Sequence, residues 1–209
     1  MSRPSGARNH DFCEKRAALL DRLTNFALTA DLRRPSLRQF AIAVHQSEPT
    51  LRHYFGDRQG LVIEILENIH HQARPIWAAL AAPSASPAAA VEDFLTVAED
   101  GMRNGYYTRA HAFGLIEGFA DEIVGKVYLE KLLDPALQAF SEKLRATPGG
   151  PRNPDELRAA SVIVTAPLFV LAVHQELLGG NSLAPIDMSK TLAFLKAWQG
   201  RALTPNPVS

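Results

Sequence analysis

The chain has 209 residues, of which 46% are hydrophobic and 21% charged, with a formal net charge of zero and a single cysteine, Cys13. These are values of an ordinary globular protein, and they exclude a collagen-like, coiled-rod or extensively disordered chain, an internal disulfide and a cysteine-rich zinc site. The sequence lacks a signal-peptide h-region and any run of roughly 18 uncharged apolar residues, so a cytoplasmic protein without a membrane partner is expected.

The charges are distributed unevenly along the chain. Residues 1–60 hold ten basic and six acidic side chains, a balance of +4, whereas the remainder carries −4. A basic N-terminal head attracts polyanions such as nucleic acid, although a chance fluctuation of a few charges would give the same imbalance.

Hydrophobic spacing predicts an all-α chain that begins with three short helices and one long helix. The expected caps of the second, third and fourth helices are Ser36, Ser47 and Asp57, and a break at residues 31–35 ends the first. The predicted ranges are 12–29, 36–44, 47–54 and 58–79, and Pro75 is expected to bend or end the last of them.

More helices follow a loop at residues 83–87. They are predicted at 88–103, within 108–146 with breaks near Gly118 and Asp134, at 155–178 and at 187–199, and residues 147–154 (TPGGPRNP) form a linker.

The predicted helix at 155–178 is apolar nearly all round from residue 159 to residue 173, so it must be buried on several sides. We expect the last two helices to form a homodimer across a two-fold axis, since isologous burial is the commonest way to cover such an excess. The candidate interface or adjoining core residues are Val162, Phe169, Val173, Leu192, Leu195 and Trp198.

Residues 36–54 fit a helix-turn-helix, in which two short helices pack around a tight turn. Ala41 is small where the helices must cross closely, and Phe40, Val44, Leu51 and Tyr54 can hold them against the first helix. Pro49 is tolerated in the first turn of the second helix, which is short enough to lie across the major groove of DNA.

Side chains on and near this second helix supply the predicted DNA contacts. Arg38, Arg52 and Arg58 are expected to act mainly on phosphates, while Thr50 and His53 lie closer to the bases. Ser47 and Tyr54, at the two ends of the helix, complete the predicted set. Helix pairs with a similar pattern also occur in proteins that never bind DNA.

The run PSLRQFAIAVHQSEPTLRHYFGDRQGLVIEIL resembles the DNA-binding region of the tetracycline-repressor (TetR) family. In that family the helix-turn-helix is followed by an aromatic pair, a capping residue, a basic residue, an acidic or amide residue and leucine. These places are occupied by Tyr54, Phe55, Asp57, Arg58, Gln59 and Leu61.

The resemblance implies a homodimeric transcriptional regulator, a ligand-responsive repressor on a palindromic operator. It also implies an N-terminal three-helix DNA-binding domain at 1–57 and a helical ligand-binding and dimerisation domain at 58–209.

By the same resemblance, an effector pocket lies between the helices that follow the DNA-binding head. The candidate lining residues are Trp77, Phe94, Met102, His111, Phe113, Glu117 and Phe169, and plain core packing is the alternative for each of them. The long fourth helix is expected to connect this pocket with the head.

Three residues depart from the family pattern. His45 replaces the turn glycine and must adopt a positive φ or alter the turn, Gln46 replaces an apolar residue, and Arg52 replaces a phosphate-contacting tyrosine. They favour an alternative function, that of a TetR-like dimer with degraded DNA binding that serves as a small-molecule-binding or interaction protein.

The sequence contains no recognisable enzymatic motif and no complete set of metal ligands. Glu67 and His70 have the spacing of a helical ligand pair, but a second pair that would complete a di-metal site is missing. We therefore predict no catalytic residue, cofactor or metal, and an all-helical enzyme with an unrecognised site is a third alternative.

Overall fold

The structure of the protein, a computed structural model, describes residues 5–29 and 34–202, with side chains at 12–29, 34–175 and 177–198. Arg3 and Arg33 of the predicted basic head, residues 31–33 of the predicted break and the side chain of Arg8 lie outside this description. Every regular element in these ranges is a helix, which confirms the predicted all-α class for this part of the chain.

Eleven α-helices and two π-helical turns follow one another in the described residues. The α-helices are α1 (Ser5–Thr29), α2 (Leu37–Ala43), α3 (Glu48–Phe55), α4 (Arg58–Leu80), α5 (Pro87–Arg103), α6 (Tyr106–Ala120), α7 (Glu122–Tyr128), α8 (Asp134–Ala146), α9 (Pro154–Ala172), α10 (Gly180–Leu183) and α11 (Met188–Ala202). The π-helical turns are Leu129–Leu133 and Val173–Leu177.

The chain divides into two compact units, and the first consists of Met1–Gln72 and Phe113–Lys131. Fully buried hydrophobic side chains of this unit come from α1 to α4 and include Leu23, Phe40, Leu51 and Ile65. Phe26 of α1 meets Phe40 of α2 edge to face, with ring centroids 5.5 Å apart, so aromatic packing fixes α2 against α1.

The second unit consists of Ala73–Ala112 and Leu132–Ser209. In it α5 packs against α8, α9 and α11, and α8 packs against α9. The core between them holds Val91, Phe94 and Leu95 from α5, Phe140 and Leu144 from α8, Val164 and Leu168 from α9, and Leu192 from α11. The predicted division into a DNA-binding domain at 1–57 and a ligand-binding domain at 58–209 concerns function, and it stays a prediction.

The second, third and fourth helices begin at the predicted caps, whereas some helix ends differ from the predicted ones. Ser36 and Ser47 cap α2 and α3, and the Asp57 carboxylate accepts the Gly60 N–H at 2.8 Å at the start of α4. α4 continues past Pro75 to Leu80, because proline costs one backbone hydrogen bond without forcing the helix to stop.

The predicted helix at 155–178 ends differently from expectation. Its α-helical part stops at Ala172, and residues 173–177 form a π-helical turn in which the Leu178 N–H donates to the Val173 carbonyl at 3.0 Å. This wide turn places Gln175 in the interior of the unit, at 2% exposure.

One described stretch, Pro154–Gln175, has the length and mean hydropathy (1.8) of a membrane-spanning helix. In the structure 44% of its most apolar 18-residue window is buried, and Leu157, Val164 and Leu168 belong to the core of the second unit. Core helices of soluble proteins satisfy the same criteria, so this stretch is weak evidence for a membrane span.

Candidate functional site

The turn between α2 and α3 has the hydrogen bonds of a Schellman motif. The His45 N–H donates to the Ile42 carbonyl at 3.1 Å and the Gln46 N–H donates to the Ala41 carbonyl at 2.9 Å. This motif requires a left-handed residue at the position of His45, whose φ is +54°. Of the two outcomes predicted for the missing turn glycine, the positive φ is confirmed.

Local side-chain caps define where the two short helices begin. Ser36 and Gln39 form a capping box, in which the Ser36 hydroxyl accepts the Gln39 N–H and the Gln39 amide oxygen accepts the Ser36 N–H. The Ser47 hydroxyl accepts the Thr50 N–H at 3.2 Å and lies 2.7 Å from the Thr50 hydroxyl. Ser47 and Thr50 thus stabilise the start of α3 before any ligand is bound.

The outer face of α3 is polar, and its inner face is buried. Leu51 and Phe55 are buried, while Arg52 and His53 are exposed. Arg52 donates to Glu48 at 2.9 Å, one helical turn earlier, so its guanidinium already has an anionic partner. Exposed pairs of this kind are weak, and a phosphate can replace Glu48 at little cost.

The other predicted DNA-binding residues of this helix pair differ in their contacts. Arg38 of α2 is exposed. Tyr54 is half-buried, with its ring 5.0 Å from that of Phe12, and its carbonyl accepts a hydrogen bond from Arg16 at 3.5 Å. The His53 ring lies 5.9 Å from the Phe12 ring. α1 therefore supports the end of α3 through aromatic contacts.

Arg58, the last member of the predicted DNA-binding set, is held inside the first unit. Its terminal nitrogens donate to both carboxylate oxygens of Glu117 at 2.5 and 2.9 Å, and its Nε donates to the Pro35 carbonyl at 2.7 Å. Arg34 also donates to Glu117, at 3.1 Å. Because the three residues lie on α4, on α6 and in the segment before α2, the cluster joins those elements. The phosphate contact of Arg58 stays a prediction.

A second link joins α4 to the start of α7 in the same unit. The Gln59 amide donates to Asp121 at 2.7 Å, and the other oxygen of that carboxylate caps α7 by accepting the Ile123 and Val124 N–H groups. These hydrogen bonds, led by that from Gln59, lower the pKa of Asp121. The carboxylate is therefore held in its charged, accepting form.

The seven residues predicted to line an effector pocket are divided between the units. Phe113 and Glu117 belong to the first unit, and Trp77, Phe94, Met102, His111 and Phe169 belong to the second. Phe94 lies in the core, with its ring 4.7 Å from that of Phe140, as the core-packing alternative expects.

His111 lies in an aromatic cluster of the second unit. Its ring is 4.4 Å from that of Tyr107 and 5.3 Å from that of Phe169. Burial lowers the pKa of His111 to about 4 and raises the pKa of Tyr107 to about 12. Both side chains are therefore neutral at pH 7, and the cluster is uncharged.

A cavity of about 230 Å³ lies within the second unit, between the end of α5, the start of α6, the π-helical turn at 173–177, α10 and the start of α11. Of the predicted pocket residues it includes Met102. Sequence reasoning missed the other lining residues, Glu99, Arg103, Thr108, Gln175, Asn181, Ile186, Met188 and Ser189. Because they come from separate segments, no local sequence signal groups them.

The six predicted dimer-interface residues occupy three environments. Val162 and Trp198 are exposed, Phe169 and Val173 are partly buried, and Leu192 and Leu195 are buried in the core of the second unit. The sequence predicted these residues as candidates for the interface or the adjoining core, and Leu192 and Leu195 lie in the core. Val170 and Phe194, which are not in the predicted set, are also exposed, and Phe194 lies one helical turn from Trp198 on the same face of α11.

The helical ligand pair Glu67 and His70 lies on α4. The His70 ring Nδ1 is 2.7 Å from the Lys131 carbonyl oxygen. Within the described residues, no group of three or more His, Cys, Asp and Glu side chains has the arrangement of a metal site.

No protein-family model matches the chain, and no curated protein matches it significantly.

Proposed function

We propose that this protein is a cytoplasmic, homodimeric, DNA-binding transcriptional regulator, a ligand-responsive repressor that acts on a palindromic operator. The proposal combines the resemblance of residues 15–69 to the TetR family with the local structure of α2 and α3. The enzyme alternative has no supporting observation among the described residues.

The observation that carries the proposal is the pairing of α2 with α3. The Ser47 cap and the Schellman turn define how α3 begins after α2, and Arg38 of α2 and Arg52 and His53 in the last turn of α3 are exposed. Exposed basic and hydrogen-bonding side chains on a short helix suit phosphate and base-edge contacts in a major groove.

DNA binding is tested with the duplex upstream of the gene in a mobility-shift assay over a range of salt concentrations. Arg52→Ala should weaken binding to all sequences and reduce the salt slope by about 0.9, because one phosphate contact fewer releases fewer counterions. Lys126→Ala is the matched control, since Lys126 is an exposed cation of α7 that pairs with Glu122 in the same i,i+4 geometry.

A further variant tests whether α3 itself carries the contact. Glu48→Gln should tighten binding several-fold, because it frees Arg52 and removes a negative charge from the DNA-facing helix. If the wild-type protein binds genomic DNA duplexes at low salt no more tightly than an unrelated neutral protein does, the proposal is wrong.

The second candidate function is a TetR-like dimer that has lost specific DNA binding and binds small molecules. The observations that favour it are the strained His45 and the two arginines, Arg52 and Arg58, that already have carboxylate partners. It predicts no operator shift at any salt concentration together with retained dimerisation, so the same assay separates the two functions.

The exposed apolar side chains of α9 and α11 support the proposed dimer. Val162, Val170, Phe194 and Trp198 are all exposed in the single chain, and burying them against a second copy removes apolar area from water. The substitution Phe194→Glu tests this interface, because it places a charge in the apolar surface that a second copy would cover.

A further inference from the structure

The turn between α5 and α6 contains the only asparagine–glycine pair of the chain, Asn104–Gly105. An asparagine side chain loses ammonia when the backbone nitrogen of the next residue attacks its amide carbon. Glycine permits this attack best, because it has no side chain to shield the nitrogen. Asn104 is exposed, so water and small bases reach the pair.

The geometry of the turn requires glycine at position 105. Its φ is +73°, in the left-handed region, and its N–H donates to the Met102 carbonyl at 3.0 Å at the end of α5. A Cβ on this residue would lie 2.9 Å from Nη1 of Arg109. Any other residue would therefore be strained and would displace the guanidinium, so the fold itself keeps a glycine after Asn104.

The side chain of Asn104 already accepts a hydrogen bond at the start of α6. Its Oδ1 accepts the Tyr106 N–H at 3.0 Å. When the amide carbon of Asn104 is attacked, negative charge develops on this same oxygen. A donor that is in place before the reaction stabilises such a charge, as in the oxyanion holes of enzymes.

Arg109 acts on the other partner of the attack. Its Nη2 donates to the main-chain carbonyl of Asn104 at 3.2 Å. That carbonyl belongs to the same peptide group as the Gly105 nitrogen, so a cation on its oxygen makes the Gly105 N–H more acidic. The deprotonated nitrogen is the nucleophile, and a lower proton affinity raises its concentration. The hydrogen bond to Met102 opens first, at a helix end, where fraying is common.

We propose that Asn104 is a site of spontaneous deamidation, promoted by the Tyr106 N–H and by the guanidinium of Arg109. The bond from the Gly105 nitrogen to Cγ of Asn104 forms and the bond from Cγ to Nδ2 breaks. The Gly105 proton passes to solvent, and the amide nitrogen leaves as ammonia with a proton from water. Water then opens the succinimide ring at Cγ to give aspartate, or at the main-chain carbonyl to give isoaspartate.

The two products affect the turn differently. Aspartate keeps an oxygen for the Tyr106 N–H, and it places a negative charge at the start of α6 and beside Arg109, where both are favourable. Isoaspartate adds one carbon to the main chain between α5 and α6, which shifts Tyr106 relative to its acceptor. The reaction therefore alters the connection of two helices of the second unit, and it needs neither DNA nor an effector.

The test follows the folded full-length protein during incubation at neutral pH. Samples are digested with pepsin in acid, where deamidation is slow, and mass spectrometry measures the conversion of each asparagine. Asn104 should react several-fold faster than Asn181, which is also exposed and is followed by Ser182. Methylation by an isoaspartyl methyltransferase should label the peptide that contains residue 104.

Variants of the arginine test the role of the structure. Arg109→Gln should slow deamidation of Asn104 several-fold in the folded protein, and Arg109→Lys should restore part of the rate because it restores a cation. Arg103→Gln is the matched control: Arg103 precedes Asn104, is exposed and pairs with Glu99, so its loss should leave the rate unchanged. In concentrated urea the wild-type protein and Arg109→Gln should react equally fast, since the contact is lost.

A rate at Asn104 no greater than that at Asn181 in the folded protein would overturn the inference. So would equal rates of the wild-type protein and Arg109→Gln in the folded state. A difference between these two proteins that persists in urea would contradict the role of the Arg109 contact, because it would come from sequence alone.

Discussion

The carboxylate of Glu117 receives two hydrogen bonds from Arg58, at 2.5 and 2.9 Å, although the residues are 59 positions apart in the chain. The Glu117 side chain is 1% exposed, and Arg34 completes a cluster of two cations around one buried anion. Two parallel N–H donors on one carboxylate form the strong, geometrically specific kind of ion pair. The cluster therefore fixes the start of α4 relative to the segment that leads into α2.

Glu117→Gln is expected to lower the free energy of unfolding by about 2–4 kcal/mol, because it leaves two partly buried guanidinium groups without a counter-charge. Urea denaturation of the full chain measures the change. Glu122→Gln is the control: Glu122 is exposed and pairs with Lys126 on the surface of α7, so its effect should stay within about 0.5 kcal/mol. Equal effects of the two variants would contradict a structural role for the cluster.

His45→Gly is expected to stabilise the protein by about 1 kcal/mol. The φ of +54° strains any residue that has a Cβ, and glycine adopts it freely. His45→Val should destabilise, since a β-branched residue tolerates this conformation least. Gln46→Gly, one residue further along the same turn, controls for the added flexibility. A destabilised His45→Gly variant would show that the imidazole contributes more than its backbone strain costs.

His111 is expected to make the protein less stable in mild acid. Its pKa is lowered by burial to about 4 in the folded state, from 6.5 when exposed. The unfolded chain therefore binds a proton between pH 6.5 and 4 while the folded chain does not, and stability falls over that window by up to about 3 kcal/mol. The variant His111→Phe should not show this loss of stability. Thermal unfolding of the wild-type protein and the variant at pH 7 and pH 4.5 measures the difference. Parallel pH profiles would contradict the prediction.

Phe194→Glu is expected to convert the dimer into a monomer. Phe194 is 67% exposed on α11, so a charge there is harmless to a single chain and is buried only in the proposed interface. Light scattering at micromolar concentration measures the change. Phe119→Glu is the matched control, because Phe119 is 87% exposed in the first unit. A stable monomer of the wild-type protein, or loss of the dimer in both variants, would refute the proposed interface.

The sequence alone determined the class of fold and the local structure of its N-terminal region. The caps by Ser36 and Ser47 and the polar outer face of α3 depend on interactions within a few consecutive residues, and for His45 the same local reasoning left two outcomes, of which the structure has the positive φ. Hydrogen bonds of a cap or turn span three to five residues, so the residue types at those positions are enough to predict them.

Only the tertiary structure decided how distant residues meet. The sequence predicted Arg58 as a phosphate contact and Glu117 as a pocket residue, and in the structure they pair with each other. The cavity around Thr108 likewise combines residues from α5, α6, the π-helical turn at 173–177 and α11. Such groupings depend on how helices pack, and periodicity along one helix shows which face is buried without showing which other helix covers it.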